Sequence, residues 1–151
     1  MSAYEPRRPD FEQAVRTSFG KQGMMRHIRA SVAKVEPGFC EIHLPYSDDV
    51  SQQHGFFHGG VVGTIADNAG GYAAFSLMAD GDGILSVEYK LNITAPADGE
   101  LLIARGRVVR PGRTLSVTTA EVTVVKDGKE SVCAIMQQTL MRIIGNPNVV
   151  G

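Results

Sequence analysis

Alternation of apolar and polar positions runs through most of the chain and predicts β-strands. The alternating segments are bounded by turn-forming residues such as Pro111-Gly112 and the run Lys126–Lys129, which contains Asp127-Gly128. The joints between most segments are turn-sized, whereas parallel strands need long crossovers, so the strands should pair antiparallel. The predicted strands are 28–35, 39–46, 85–94, 101–109, 114–125 and 131–144.

One region, residues 58–78, does not alternate. It consists of small and apolar residues with Asp67 as its one charge, and as a helix it would be ~27–30 Å long. Because it is too apolar for a surface helix, it should be buried on most sides. A short helix from Phe11 to about Phe19, capped by Asp10, is predicted near the start. These patterns predict an α+β fold in which a curled antiparallel sheet of about six strands wraps around one long central helix.

Asp67 lies in the middle of a helix face that carries mostly small side chains, which we call the bare face. At 100° per residue, the positions within about 60° of Asp67 are small apart from Met78, and the opposite side is mostly bulkier. Glycine in a helix interior destabilises the helix by about 1 kcal/mol relative to alanine, so the glycines of the bare face require an explanation. The bare face comprises Gly60, Gly63, Thr64, Gly70, Gly71, Ala74 and Met78, and the opposite side comprises Val61, Val62, Ile65, Ala69, Tyr72 and Ser76.

Two explanations of the bare face stay open at this point. In the first, small residues allow a strand or a partner helix to pack closely, and Asp67 is a buried acid with satisfied hydrogen bonds. In the second, they leave room for a ligand beside a carboxylate that is poised for proton transfer. The second gains support because Lys34 is the only Lys or Arg between Arg29 and Lys90, so no local cation neutralises Asp67.

The start of the helix, His58-Gly59-Gly60, offers a different chemistry. The two glycines leave backbone N–H groups uncovered at the positive end of the helix dipole, where an anion or an oxyanion can bind. Asp67 lies about 13 Å further along the same helix, so one protomer cannot easily bring both groups to one atom. Two antiparallel copies of the helix can do so, which predicts a dimer with sites between the subunits.

Composition and charge exclude several classes of function. The chain has 151 residues, which fits a single domain over 1–151 with its core at about 11–143 and flexible termini. Its net charge is −1, and the lack of a basic excess argues against binding to a nucleic acid or a membrane surface. The sequence contains no run of about 18 apolar residues, so no membrane span is predicted. Residues 1–11 show no secretory signal, and Cys40 and Cys133 form no CxxC pair, which is typical of a cytoplasmic protein. The histidines lack metal-ligand spacing, so no metal is expected.

Two motifs and their spacing resemble those of a known family. The run Gln52–Gly60, which reads QQHGFFHGG, is followed by Ile65–Ala69, which reads IADNA, and together they look like the PaaI-type hotdog-fold acyl-CoA thioesterases. The stretches 86–92 and 110–114 also fit in order and spacing, so the resemblance covers nearly the whole chain. It implies a hotdog fold, hydrolysis of acyl-CoA thioesters with no cofactor besides the coenzyme A of the substrate, and self-association as a homodimer or as a dimer of dimers, a homotetramer.

The resemblance also implies roles for individual residues. Asp67 would act as general base or nucleophile, and the Gly59 amide would polarise the thioester carbonyl. His58 would support the loop, and Ser86 would help to orient water at Asp67. Gln52 stands where the family usually has Asn, one methylene shorter. The residues expected to bind substrate, with the two arginines meeting the phosphates of coenzyme A, are Phe57, Gly60, Asn68, Arg110, Arg113 and Thr114.

Two other functions compete with hydrolysis. A hotdog dehydratase has a different pattern, in which a catalytic His is paired with an acid in the helix. A non-catalytic acyl-CoA-binding module would not need an acid on the bare helix face. This chain has no basic patch, and its length leads us to expect no attached DNA-binding domain. The sequence therefore favours a thioester hydrolase, with the binding module as the alternative.

Overall fold

A six-stranded antiparallel sheet curls around one long helix, which confirms the predicted α+β hotdog arrangement. The computed structural model describes residues 4–151, so part of the expectations for residues 1–11 lies outside the described residues. The helices are α1 (Phe11–Lys21), α2 (Gly23–His27) and α3 (Gly59–Phe75), with a 3-10 turn at Asp48–Val50. The strands are β1 (Ser31–Glu36), β2 (Phe39–Pro45), β3 (Gly83–Ile93), β4 (Leu101–Pro111), β5 (Leu115–Lys126) and β6 (Lys129–Ile143).

All six predicted strands form, and their boundaries move by a few residues. The largest shift is at β1, which begins at Ser31 because Ile28 belongs to the end of α2, where it is buried. The hairpin between β5 and β6 turns at Asp127 and Gly128, whose φ angles are 51° and 75°. Both residues therefore occupy the left-handed region that a two-residue hairpin loop of this kind requires.

The hydrophobic core lies between α3 and the concave face of the sheet. Cys40, Ile42 and Leu44 alternate along β2, and all three are fully buried. At Gly106 the backbone of β4 approaches α3 so closely that a Cβ atom would collide with the carbonyl group of Ala69. This glycine therefore sets the distance between the sheet and the central helix.

The predicted side-chain cap of α1 is wrong. The Asp10 carboxylate accepts hydrogen bonds of 2.8 and 2.7 Å from the Arg8 guanidinium instead of capping the helix. Only the backbone carbonyl group of Asp10 joins the helix, as the acceptor for Ala14 N. A charged neighbour two residues away competes successfully with a helix N–H group for the carboxylate, because charge-assisted hydrogen bonds are the stronger ones.

The sheet order is β1-β2-β4-β5-β6-β3, so β1 and β3 are its edges. Helix α1 packs near β1, whereas β3 carries apolar side chains that are each about half exposed: Leu85, Val87, Tyr89 and Ile93. Such an edge offers unpaired backbone groups to another strand. None of the helices within residues 4–151 is long and apolar enough to cross a membrane.

Candidate active site

Asp67 lies in the middle of α3 and faces the first part of β3. Its Oδ1 atom accepts a hydrogen bond of 2.6 Å from the Ser86 hydroxyl group and another from Nε2 of Gln138. Within residues 4–151, no ion pair involves Asp67 and no hydrogen bond reaches its Oδ2 atom. The carboxylate is half-buried and borders a cavity of about 300 Å³, which we call the Asp67 cavity.

Helix α1 and the C-terminal residues form the far wall of the Asp67 cavity. Ser18 of α1 and Gln22, the residue that follows α1, hydrogen-bond to the Tyr72 hydroxyl group at 3.1 and 2.7 Å. Burial raises the pKa of Tyr72, and the bonds from Ser18 and Gln22 only partly offset this, so the phenol stays neutral at physiological pH. The hydroxyl and amide groups of Ser18, Gln22 and Tyr72 on this wall therefore carry no charge.

Among the described residues, one cationic side chain lines the Asp67 cavity, and it comes from a part of the chain far from Asp67 in sequence. Lys21, at the end of α1, lines the cavity, but its ammonium group donates to the carbonyl oxygen of Gly151 at 3.4 Å. Residues 149–151 also line the cavity, and Gly151 N donates to the carbonyl group of Asp82 at 3.2 Å. The Asp67 carboxylate thus remains without a cationic partner in the described part of the chain.

His58 organises the start of α3. Its side chain occupies the N-cap position, where Nδ1 accepts from Gly60 N at 2.8 Å. His58 N donates to the carbonyl group of Val50 at 2.8 Å. The Gly60 amide is therefore already engaged, whereas the Gly59 amide makes no hydrogen bond to any described residue. Of the two predicted glycine donors, only Gly59 has a free N–H group.

Gly59 borders a second cavity, of about 530 Å³, which we call the Gly59 cavity. Gln52, Phe56 and Phe57 line it as well, and Oε1 of Gln52 accepts from His54 N. Phe57 is only 3% exposed and packs edge-on against Tyr46, with 5.3 Å between ring centroids. Phe57 is thus a core residue that also forms part of a cavity wall.

The structure divides the predicted site residues into three groups. Asp67 and Ser86 are in contact, whereas Gly59, His58 and Gln52 lie together at the helix start, about 12 Å away along α3. Arg110, Arg113 and Thr114, around the β4–β5 turn, line neither of the two cavities.

Asn68 follows Asp67 on the helix and also lines the Asp67 cavity. Its Nδ2 atom donates to the carbonyl group of Thr64 at 3.0 Å, and its Oδ1 atom is buried with no partner among the described residues. No cluster of three potential metal ligands occurs within residues 4–151.

Sequence reasoning missed two polar residues beneath α3. Gln138 on β6 donates to Ser86 Oγ at 3.1 Å as well as to Asp67, and Thr118 on β5 donates to Oε1 of Gln138 at 3.2 Å. Both side chains are fully buried. A signal was available, because strand alternation places Gln138 in phase with the apolar Met136 and Leu140 on the inner face. A polar residue at an inward position of a strand indicates a specific partner.

The chain is similar to known proteins in sequence and in structure. The family model described as Thioesterase superfamily matches residues 54–131, about half of the chain. A crystal structure of a thioesterase family protein from Silicibacter pomeroyi is 46% identical, covers 89% of this chain and 99% of that chain, and has a TM-score of 0.88.

Two more distant proteins are also similar. The structure of the E. coli PaaI protein from the phenylacetic acid degradation operon has a TM-score of 0.80 and covers 91% of this chain and 96% of that chain. Its identity of 19% shows a shared fold alone. The 1,4-dihydroxy-2-naphthoyl-CoA hydrolase of Listeria monocytogenes is 24% identical over 78% of this chain and 94% of the relative.

Proposed function

Because this chain belongs to the thioesterase superfamily, as a PaaI-type hotdog thioester hydrolase, we propose that Asp67 drives the hydrolysis of acyl-CoA thioesters. The observation that carries this proposal is the asymmetry of the Asp67 carboxylate. Oδ1 is held by two donors, whereas Oδ2 has no partner among the described residues and the carboxylate borders an open cavity. An unpaired carboxylate oxygen beside a cavity can accept a proton or attack a carbonyl carbon.

Two routes through Oδ2 lead to the same products. In the first, Oδ2 takes a proton from water while the water oxygen bonds to the thioester carbonyl carbon. In the second, Oδ2 itself bonds to that carbon, and water then hydrolyses the resulting anhydride. In both routes the C–S bond breaks, the sulfur leaves with the bonding electrons and takes up a proton, and a carboxylic acid and free coenzyme A are released.

The second half of the site is the start of α3 in a partner copy. The free Gly59 N–H group lies at the positive end of the helix dipole, where it can stabilise the oxyanion that forms on the carbonyl group. Gly59 and Asp67 of one protomer border different cavities, so each protomer supplies two half-sites. If the exposed edge strand β3 paired with β3 of a second copy, the two α3 helices would run antiparallel. Gly59 of one copy would then approach Asp67 of the other.

Other predicted residues have supporting roles in this proposal. Ser86 orients the attacking water together with Asp67, and His58 fixes the loop through the Gly60 amide. Arg110 and Arg113 would meet the phosphates of coenzyme A from the exposed β4–β5 turn. Gln52 and Phe57 would line the side of the site that the partner contributes.

The test is release of free thiol from a panel of short, long and aromatic acyl-CoA compounds, followed with a thiol reagent. Asp67→Asn keeps the shape of the side chain but removes the basic oxygen, so we expect turnover to fall by about 100-fold or more. Binding of coenzyme A, measured by calorimetry, should not change. The matched control is Asp49→Asn, an exposed acid of the 3-10 turn, which should keep wild-type turnover.

Two results decide between the open alternatives. Binding of acyl-CoA without thiol release over the whole panel would overturn the proposal and favour the binding module. If hydrolysis does occur, a single turnover in ¹⁸O-labelled water tests the second route. Label enters the Asp67 carboxylate only when Oδ2 has bonded to the acyl group and water then attacks the Asp67 carbon of the anhydride.

A further inference from the structure

We propose that Gln138 is a positioning residue that, together with Thr118, decides which oxygen atom of Asp67 reacts. This inference rests on the proposed function, since it assigns a role within the same site. Gln138 is fully buried on β6, and its amide group uses both of its ends. Nε2 donates to Asp67 Oδ1 and to Ser86 Oγ, and Oε1 accepts from Thr118.

The orientation of the Gln138 amide follows from its neighbours. If the amide turned over, Oε1 would face the carboxylate oxygen of Asp67, and two acceptors would meet with no proton between them. With Nε2 towards Asp67, the Thr118 hydroxyl hydrogen can satisfy Oε1 at 3.2 Å. Thr118 is itself fully buried, so it holds the amide in one place.

The fixed amide also directs the Ser86 hydroxyl group. Because Ser86 Oγ accepts a hydrogen bond of 3.1 Å from Gln138, its own hydrogen is directed to Asp67 Oδ1, 2.6 Å away. Oδ1 therefore receives two hydrogen bonds, which stabilise charge on that oxygen and reduce its reactivity. Oδ2 is left as the oxygen available for water or for the thioester carbon.

A glycine in the middle of α3 provides the space for this network. A Cβ atom at Gly70 would lie 2.7 Å from the Thr118 hydroxyl oxygen and closer still to Oε1 of Gln138. No real Cβ contact is that short, so Gly70 allows the buried amide to pass beneath the helix. Gly70 therefore lies where the polar network passes beneath the helix. At a helix position next to an ordinary apolar core, alanine would be favoured over glycine.

The experiment compares kcat, KM and thermal unfolding for variants of the two residues, with one acyl-CoA that the wild type hydrolyses. Gln138→Met keeps the length of the side chain and removes its hydrogen bonds, so we expect kcat to fall about tenfold or more with KM within about twofold. Thr118→Val should lower kcat by a smaller factor, whereas Thr118→Ser, which retains the hydroxyl group, should preserve it.

Coupling between the two sites separates positioning from simple packing. If Thr118 acts only through Gln138, Thr118→Val has no effect on kcat in the Gln138→Met background. Unchanged kcat in both single variants, or equal effects of Thr118→Val in both backgrounds, would overturn the inference. Should Gln138→Met fail to fold, equal kcat values for Thr118→Val and Thr118→Ser would still overturn it.

The proposed function fails in a different way. If Asp67→Asn retains turnover, the role of Asp67 itself is wrong. If Asp67→Asn is inactive while the Gln138 and Thr118 variants are fully active, the proposed function stands and only the positioning role fails.

Discussion

Gly59 and Asp67 lie eight residues apart on α3 and border two different cavities. At 1.5 Å per residue they are separated by about 12 Å along the helix, too far to act on one carbonyl group within a protomer. We propose that a second copy completes each site, by bringing its Gly59 amide to the Asp67 carboxylate of the first.

The Gly59 amide can be tested with a pair of substitutions. Gly59→Pro removes the N–H group at the first position of the helix, where proline is well tolerated, and the extended backbone of His58 suits a following proline. We expect kcat to fall by about 10²–10³-fold, the typical effect of losing an oxyanion donor. Gly59→Ala is the control, since it adds a Cβ atom near the flexible end of Ile93 but keeps the N–H group. Equal losses in both variants would argue against the oxyanion role.

Subunit complementation tests the shared site. Co-expression of Asp67→Asn and Gly59→Pro chains should restore turnover, because a mixed dimer contains one site with an intact Asp67 and an intact Gly59. With random pairing, about a quarter of the wild-type activity should return. The control is a dimer of two Asp67→Asn chains that carry different affinity tags. It should stay inactive. A monomer by light scattering, or no recovery in the mixed dimer, would contradict the shared site.

The ion pair between Asp82 and Arg142 should be a main determinant of stability at the end of β6. Oδ2 of Asp82 accepts from Arg142 Nε at 2.7 Å and from Ala79 N at 2.9 Å, and the two charged side chains are only 5% and 12% exposed. Asp82→Ala leaves a buried guanidinium without a partner, which typically costs about 3–5 kcal/mol. The midpoint of thermal unfolding should fall by about 10 °C or more.

Asp80→Ala is the matched control for Asp82→Ala. Asp80 also forms an ion pair, with Arg8 at 3.2 Å, but its side chain is 89% exposed. Exposed pairs contribute little to stability, so the unfolding midpoint should hardly change. If the two variants unfold at the same temperature, the buried pair does not have the importance assigned to it.

The two cysteines should be unreactive in the folded protein. Burial raises the pKa of Cys40 to about 12 and that of Cys133 to about 11. The thiolate is the reactive form, so at pH 8 only about one Cys40 thiol in ten thousand is ionised. A thiol reagent should therefore detect two thiols per chain in guanidinium chloride and none under native conditions. Rapid labelling of the native protein would show that one of the two is accessible.

Local pattern was sufficient to predict α1, α3 and the six strands, but it did not predict α2. Strands such as β5 have one buried face, so a period of two residues is visible in the sequence, and α3 is recognisable because its apolar run does not alternate. The glycines of this helix face differ in their surroundings, and the close-packing explanation fits Gly70. Gly70 is covered by buried side chains of the sheet, whereas Gly71 lines the Asp67 cavity.

The sequence by itself determined the central acid, the glycine-rich helix start and their separation along α3, because these depend only on the spacing of residues within one helix. Only the tertiary structure decided what surrounds the acid. Gln138 is 71 residues from Asp67 along the chain, and it arrives there because β3 pairs with β6 rather than with its sequence neighbour β4. Lys21 and residues 149–151 reach the same cavity from opposite ends of the chain. Such contacts are set by the order of strands and by the packing of α1, and these depend on the burial of the whole core rather than on any local pattern.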